Sequence, residues 1–233
     1  MYNRDYLSNN SSQDQAQDSS KERMMSFLKA TYQLFAGSLL AATAGAYIGL
    51  DIVHLLVAPV SWILFAVVIG LVWFVIPRVK HTPGVNLAVL FLFTFLTGLM
   101  IAPLLASIFA MPAGASIVGQ AFLMTSVAFG GISMFAMTTK RDFSSMGQML
   151  FIALIIMIVA GISNIFIQSS LLQLGIASAG ALLFSAFILY DTQQILKGNY
   201  DSPIEAALAL YLDFLNLFVS LLQILGIMNS SDD

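Results

Sequence analysis

The chain has 233 residues, of which 59% are hydrophobic and only 9% charged, and a mean hydropathy of +0.90. A soluble domain carries roughly 25% Asp, Glu, Lys and Arg, so this composition excludes a soluble globular protein. A net charge of −3, no cysteine and two histidines, His54 and His81, also exclude a basic face for nucleic acid, thiolate or Cys-based metal chemistry, and a Ser-His relay; neither an enzyme nor a resident cofactor is expected.

Residues 1–26 are polar, and Ala16 is the single apolar residue between Asn9 and Ser20. Such a segment cannot bury enough surface to fold alone, so it reads as a disordered arm. The apolar run 34–50 ends in small residues that imitate a cleavage site, but the long acidic segment before it argues for a retained span. Further apolar runs follow at 53–76, 87–109, 115–137, 149–167, 174–196 and 206–228. A helix of about 20 residues crosses the hydrocarbon, and backbone groups in lipid must be satisfied within the segment. The fold class is therefore all-α: a seven-helix membrane domain over 27–228 with a short tail at 229–233.

All nine Lys and Arg residues fall on one side of this layout. Arg4, Lys21, Arg23 and Lys29 precede or open the first helix, Arg78 and Lys80 follow the second, Lys140 and Arg141 the fourth, and Lys197 the sixth. Positive loops stay in the cytoplasm, so the amino terminus is expected inside and the carboxyl terminus outside. Helix one carries Gly37, Ala41, Gly45 and Gly49, and helix three carries Thr94, Gly98, Ala102 and Ala106 with Pro103 expected to kink it. Small residues every four positions let backbones approach closely. Packing inside the bundle is the better reading of both stripes, and a monomer is expected rather than a dimer.

Two acids interrupt the last two spans. A charge at a helix centre costs about 2.5–3.5 kcal/mol on insertion scales, which makes an intramembrane carboxylate a functional candidate. Asp191 lies six residues before Lys197, and Asp213 eight residues after Glu205; at 1.5 Å per residue both sit roughly 9–12 Å in from the same boundary. A short connection makes the two helices antiparallel neighbours, so the carboxylates are expected to meet, to share one proton and to respond to pH. Doubly ionised, the pair would hold a hard cation such as Ca²⁺ or repel and open. Arg78 is a candidate latch for one acid. Asp213, Asn216, Ser220 and Gln223 fall in one sector of helix seven; this stripe either lines a polar path or hydrogen-bonds other helices, such as that of Asn164.

At these residues a family resemblance emerges. Leu189-Tyr190-Asp191-Thr192-Gln193, Leu210-Tyr211-Leu212-Asp213-Phe214-Leu215-Asn216-Leu217-Phe218 and Thr138-Thr139-Lys140-Arg141-Asp142-Phe143-Ser144 resemble the Bax inhibitor-1 family, the transmembrane Bax inhibitor motif proteins, over about 29–226. The resemblance implies a bundle with helix seven at its centre. In bacterial members it also implies a pH-sensitive calcium leak in the inner membrane, gated by aspartates that map onto Asp191 and Asp213 and latched by an arginine that maps best onto Arg78, although Lys80 is close by. Leak members carry a glutamate within helix two, whereas the run 53–76 has His54 as its single ionisable side chain.

Three functions therefore compete. The first is a passive, pH-gated cation leak, with Ca²⁺ and protons as its small partners and no cofactor beyond transient Ca²⁺. The second, implied by resemblance to another bacterial branch in the ending 216–226, is an interaction protein that modulates the FtsH membrane protease, which would engage the arm 1–26. The third, intramembrane aspartyl proteolysis, fails at Leu210-Tyr211-Leu212-Asp213, where such enzymes carry Gly-x-Gly-Asp.

Overall fold

The computed structural model describes residues 4–79, 82 and 84–230, with side chains from Ser19 onward; Lys80, His81 and the end of the tail lie outside the described residues. Among the described residues there is no strand, and seven helices are long and apolar enough to cross a membrane. They are α1 (Arg4–Asp51), α2 (Val60–Val79), α3 (Val85–Phe109), α4 (Gly114–Thr138), α5 (Gly147–Ile167), α6 (Ser170–Leu196) and α7 (Pro203–Ser230). The seven-helix reading stands, with two corrections.

The arm expected to be disordered over residues 1–26 is helical from Arg4. Nucleating a helix is the unfavourable step and extending one adds a hydrogen bond per residue, so the membrane-anchored part of α1 can carry polar residues that would not fold alone. The run 53–76 does not cross as one piece. Val53–Leu55 is a 3₁₀ turn, exposed at His54, and α2 begins after Pro59. His54 therefore lies before the span, and within α2 the sole charged side chain is Arg78 at its end. A π-helical stretch, Leu71–Val75, interrupts α2, and α3 continues through Pro103.

Helix α7 is the hub. Half of its most apolar stretch is buried, against 11% for α2 and for the span that contains α5. It packs on α1, α3, α4 and α6, whereas α2 and α5 present Trp62, Trp73, Phe151 and Ile156 outward. Aromatic rings fill the centre: Phe35 of α1 stacks on Phe129 of α4 at 4.8 Å, and both meet Phe214 edge-on.

The two small-residue stripes pack on each other. A Cβ placed on Gly45 would lie 2.0 Å from the Phe95 carbonyl oxygen, and one on Gly98 would lie 2.0 Å from the Ala42 carbonyl oxygen. One on Gly49 would strike Ala102 at 2.5 Å. Only glycine permits this backbone-to-backbone approach of α1 and α3, which lets dispersion and Cα–H···O contacts hold helices that lipid gives no hydrophobic reason to associate.

Candidate functional site: the aspartate pair and its cover

Helix α6 ends in five consecutive buried residues, Asp191 to Ile195, four of them polar. Burying polar side chains is unfavourable unless they find partners, and each finds its own. Asp191 and Asp213, 8% and 5% exposed, lie within side-chain hydrogen-bonding reach of each other, as the depth argument expects. Thr192 turns toward α4, with its hydroxyl 3.4 Å from Ser133. Gln193 and Gln194 turn to the connection between α4 and α5.

That connection covers the end of α6. The Gln193 amide donates to the Arg141 carbonyl at 2.8 Å and accepts from the Phe143 N–H at 2.9 Å. Gln194 donates to Ser144 at 3.1 Å and accepts from Asn199 at 2.5 Å. Lys197 donates to Ser144 at 2.6 Å and forms an ion pair with Asp142. The Lys197 ammonium, then the Ser144 N–H, holds the Asp142 carboxyl down at about 2. Two of the sequence motifs that carry the family resemblance, around residues 138–144 and 189–193, are thus bound to each other.

A second cover comes from the α6–α7 connection. Gly198, at φ +71°, turns the chain there, and the Tyr200 phenol then donates to Asp191 Oδ1 at 2.9 Å. Burial first, then the Asp191 charge, pushes this phenol above its ordinary range, so it remains a donor at every ordinary pH. Asp213 Oδ2 is buried with no hydrogen-bond partner. The pair therefore has one oxygen served by a tyrosine and one left open.

The other expected site residues separate by position. Arg78 is not brought to the acids: its guanidinium donates to the Phe74 carbonyl at 2.5 Å and lies 5.9 Å from that ring. Asn216 turns back to the Leu212 carbonyl of its own helix at 2.7 Å. Ser220 is buried against Gly180, where a Cβ would come within 2.7 Å of its hydroxyl. Gln223 accepts from Gln173 of α6 at 2.8 Å, and Gln173 accepts from Asn164 of α5 at 2.8 Å. This ladder joins three helices and borders a cleft of about 290 Å³ beside Leu104, Ser107 and Met111. Tyr211 points the other way, to Thr97 of α3 at 2.5 Å.

Tyr200, Gln193 and Gln194 were not picked out from the sequence. The usable signals were a lone aromatic residue in a six-residue connector beside an acid, and two amides in the last turn of an apolar helix. Among the described residues no group of three or more His, Asp or Glu could hold a metal. Ca²⁺ takes six to eight oxygens, more than two carboxylates and a phenol supply.

The comparisons with known proteins cover nearly the whole of the helix bundle. The family model described as inhibitor of apoptosis-promoting Bax1 matches residues 24–230, which takes in α2 to α7 whole. A Campylobacter jejuni protein is 51% identical over 99% of both chains. A Vibrio cholerae protein described as a membrane protein is 41% identical over 88% of this chain and 91% of its own. Protein lifeguard 4 of Mus musculus is 33% identical over 88% of this chain and 86% of its own. The chain is a multi-pass membrane protein that belongs to the Bax inhibitor family.

Proposed function

We propose that the protein is a pH-sensitive passive cation leak, with Ca²⁺ the foremost cargo, in a bacterial inner membrane, with the amino terminus in the cytoplasm. The observation that carries this reading is the buried Asp191–Asp213 pair beneath Tyr200. Two carboxylates in a poorly hydrated site resist ionising together. Sharing one proton, they attract each other and hold α6 to α7 beside Tyr200, which is the closed form. Loss of that proton puts like charges face to face, which repel each other and attract a divalent cation. The carboxylates are then both the gate and the first ligands of the ion.

The test is Ca²⁺ flux into liposomes carrying the full chain, measured at a series of pH values across roughly 6 to 8. Flux should rise with pH in the wild type and lose that dependence in Asp191→Asn and Asp213→Asn. Equal pH responses in all three would sink gating by the pair. No flux in any of them, with protease engagement that depends on residues 1–26, would favour the alternative of a modulator of a membrane protease.

A further inference from the structure

The turn between α6 and α7 returns a side chain to the helix it has just left. Gly198, at φ +71°, takes the left-handed conformation, its N–H donates to the Ile195 carbonyl, and the Asn199 N–H donates to the Gln194 carbonyl, each at 3.0 Å. This paired pattern is a Schellman cap, which folds the chain back over the last turn. The Asn199 side chain adds a third bond, to the Gln194 side chain, and Gln194 in turn holds Ser144 of the α4–α5 connection. Tyr200 comes next. Its ring packs against the buried core, and its phenol meets Asp191, nine residues back.

The two acids are consequently unlike. Asp191 Oδ1 accepts from Tyr200, whereas Asp213 Oδ2 is buried without a hydrogen-bond partner. A hydrogen bond is stronger when its acceptor is charged, and an unserved buried oxygen is costlier on a carboxylate than on a neutral carboxyl. Both effects favour the charge on Asp191 and the proton on Asp213. Arg78, the expected latch, is bonded to its own helix, and Lys197, the cation on the same connector, is bonded to Asp142 and Ser144. The titratable groups acting on Asp191 are Tyr200 and Asp213, and Asp213 is acted on by Asp191. Tyr190 and the two acids act on Tyr200.

We propose that Tyr200 is the latch of the closed pair: it fixes Asp191 as the ionised partner, leaves the shared proton on Asp213 and holds the contact shut. The gating part rests on the leak reading, whereas the placement of the proton stands without it.

A protonated buried carboxyl gives an infrared carbonyl band that a carboxylate lacks. At neutral pH the band should be present in Asp191→Asn, where Asp213 remains, and absent in Asp213→Asn, where Asp191 keeps its tyrosine. A band in Asp213→Asn, or none in Asp191→Asn, overturns the placement. Adding Tyr200→Phe to Asp213→Asn should move the pH at which the Asp191 band appears by about half a unit to one unit toward neutral, the size of one hydrogen bond; no movement removes the part given to Tyr200. In liposomes the single variant Tyr200→Phe should pass Ca²⁺ from a pH about half a unit to one unit lower than the wild type, because its closed form has lost a bond, and an unmoved profile excludes the latch. Should a single-acid variant fail to fold, the infrared difference between wild type and Tyr200→Phe supplies the phenolic stretch of Tyr200. That stretch should mark a donor to a carboxylate, and a phenol bonded to a neutral carboxyl overturns the placement. No flux in any variant removes the leak and leaves the proton to the infrared bands, while a moved flux profile with the bands reversed keeps the leak and removes the placement.

Discussion

Helices α6 and α7 meet through two polar contacts about 15 Å apart along α7, a buried one at Asp191 and Asp213 and a half-buried one at Gln173 and Gln223. The amide contact is neutral and continues in order from Asn164 to Gln173 to Gln223, with donors facing acceptors. The acid contact consists of acceptors facing acceptors, so it needs a proton, a tyrosine or a cation to be stable. On the proposed reading, the same helix pair carries a contact indifferent to pH and one that depends on it. A polar stripe on one helix face is therefore not one kind of thing along its length, and the partner chemistry of each residue decides its role.

The comparison is broken most severely by Gln173→Leu, which leaves Asn164 and Gln223 without their shared partner. A loss of about 1–2 kcal/mol is expected, read as a lower thermal unfolding temperature in detergent, with the pH response of flux unchanged. A pH response lost along with stability would show that the two contacts are not independent.

Tyr200→Phe sharpens the comparison from the other side, because it removes the donor to Asp191 and nothing from the ladder. The expected loss is about 0.5–1.5 kcal/mol, together with a shift in the pH at which flux changes. The Tyr200 phenol titrates higher in the folded chain than in the unfolded one. Its contribution is therefore complete below an unfolded value of about 10 and declines as pH rises beyond it. Unfolding measured between neutral and strongly alkaline pH should show a shallower alkaline decline in Tyr200→Phe.

The smallest effect belongs to Asp142→Asn, since the Lys197 pair is solvent-exposed and such pairs contribute little. The Asp142 carboxyl is held at about 2, below an unfolded value of about 4. Its stabilisation is present above pH 4 and is lost as pH falls through 2. Wild type and Asp142→Asn should differ slightly at neutral pH, less in high salt, and converge in acid.

The spans, their number and the meeting of the two acids could be read from the chain, because lipid turns composition directly into structure and 1.5 Å per residue turns spacing into depth. The Gly37 to Gly49 and Thr94 to Ala106 stripes could also be read as packing, but that they pack on each other could not, since periodicity identifies a face and not its partner. The second span was read as starting too early because 53–59 is apolar enough to belong to a helix, while Pro59 sets where one begins. Tyr200 escaped because connector residues carry no periodicity.

The reciprocal glycine contacts between α1 and α3 have a mechanical consequence. Where each backbone rests in the other's notch, sliding by even one residue would drive a side chain into a carbonyl, so the two helices form a single thick rod. Shape change in this bundle is then the business of its thinly anchored outer staves, and spin labels on α1 and α3 should keep a constant separation at any acidity that leaves the protein folded.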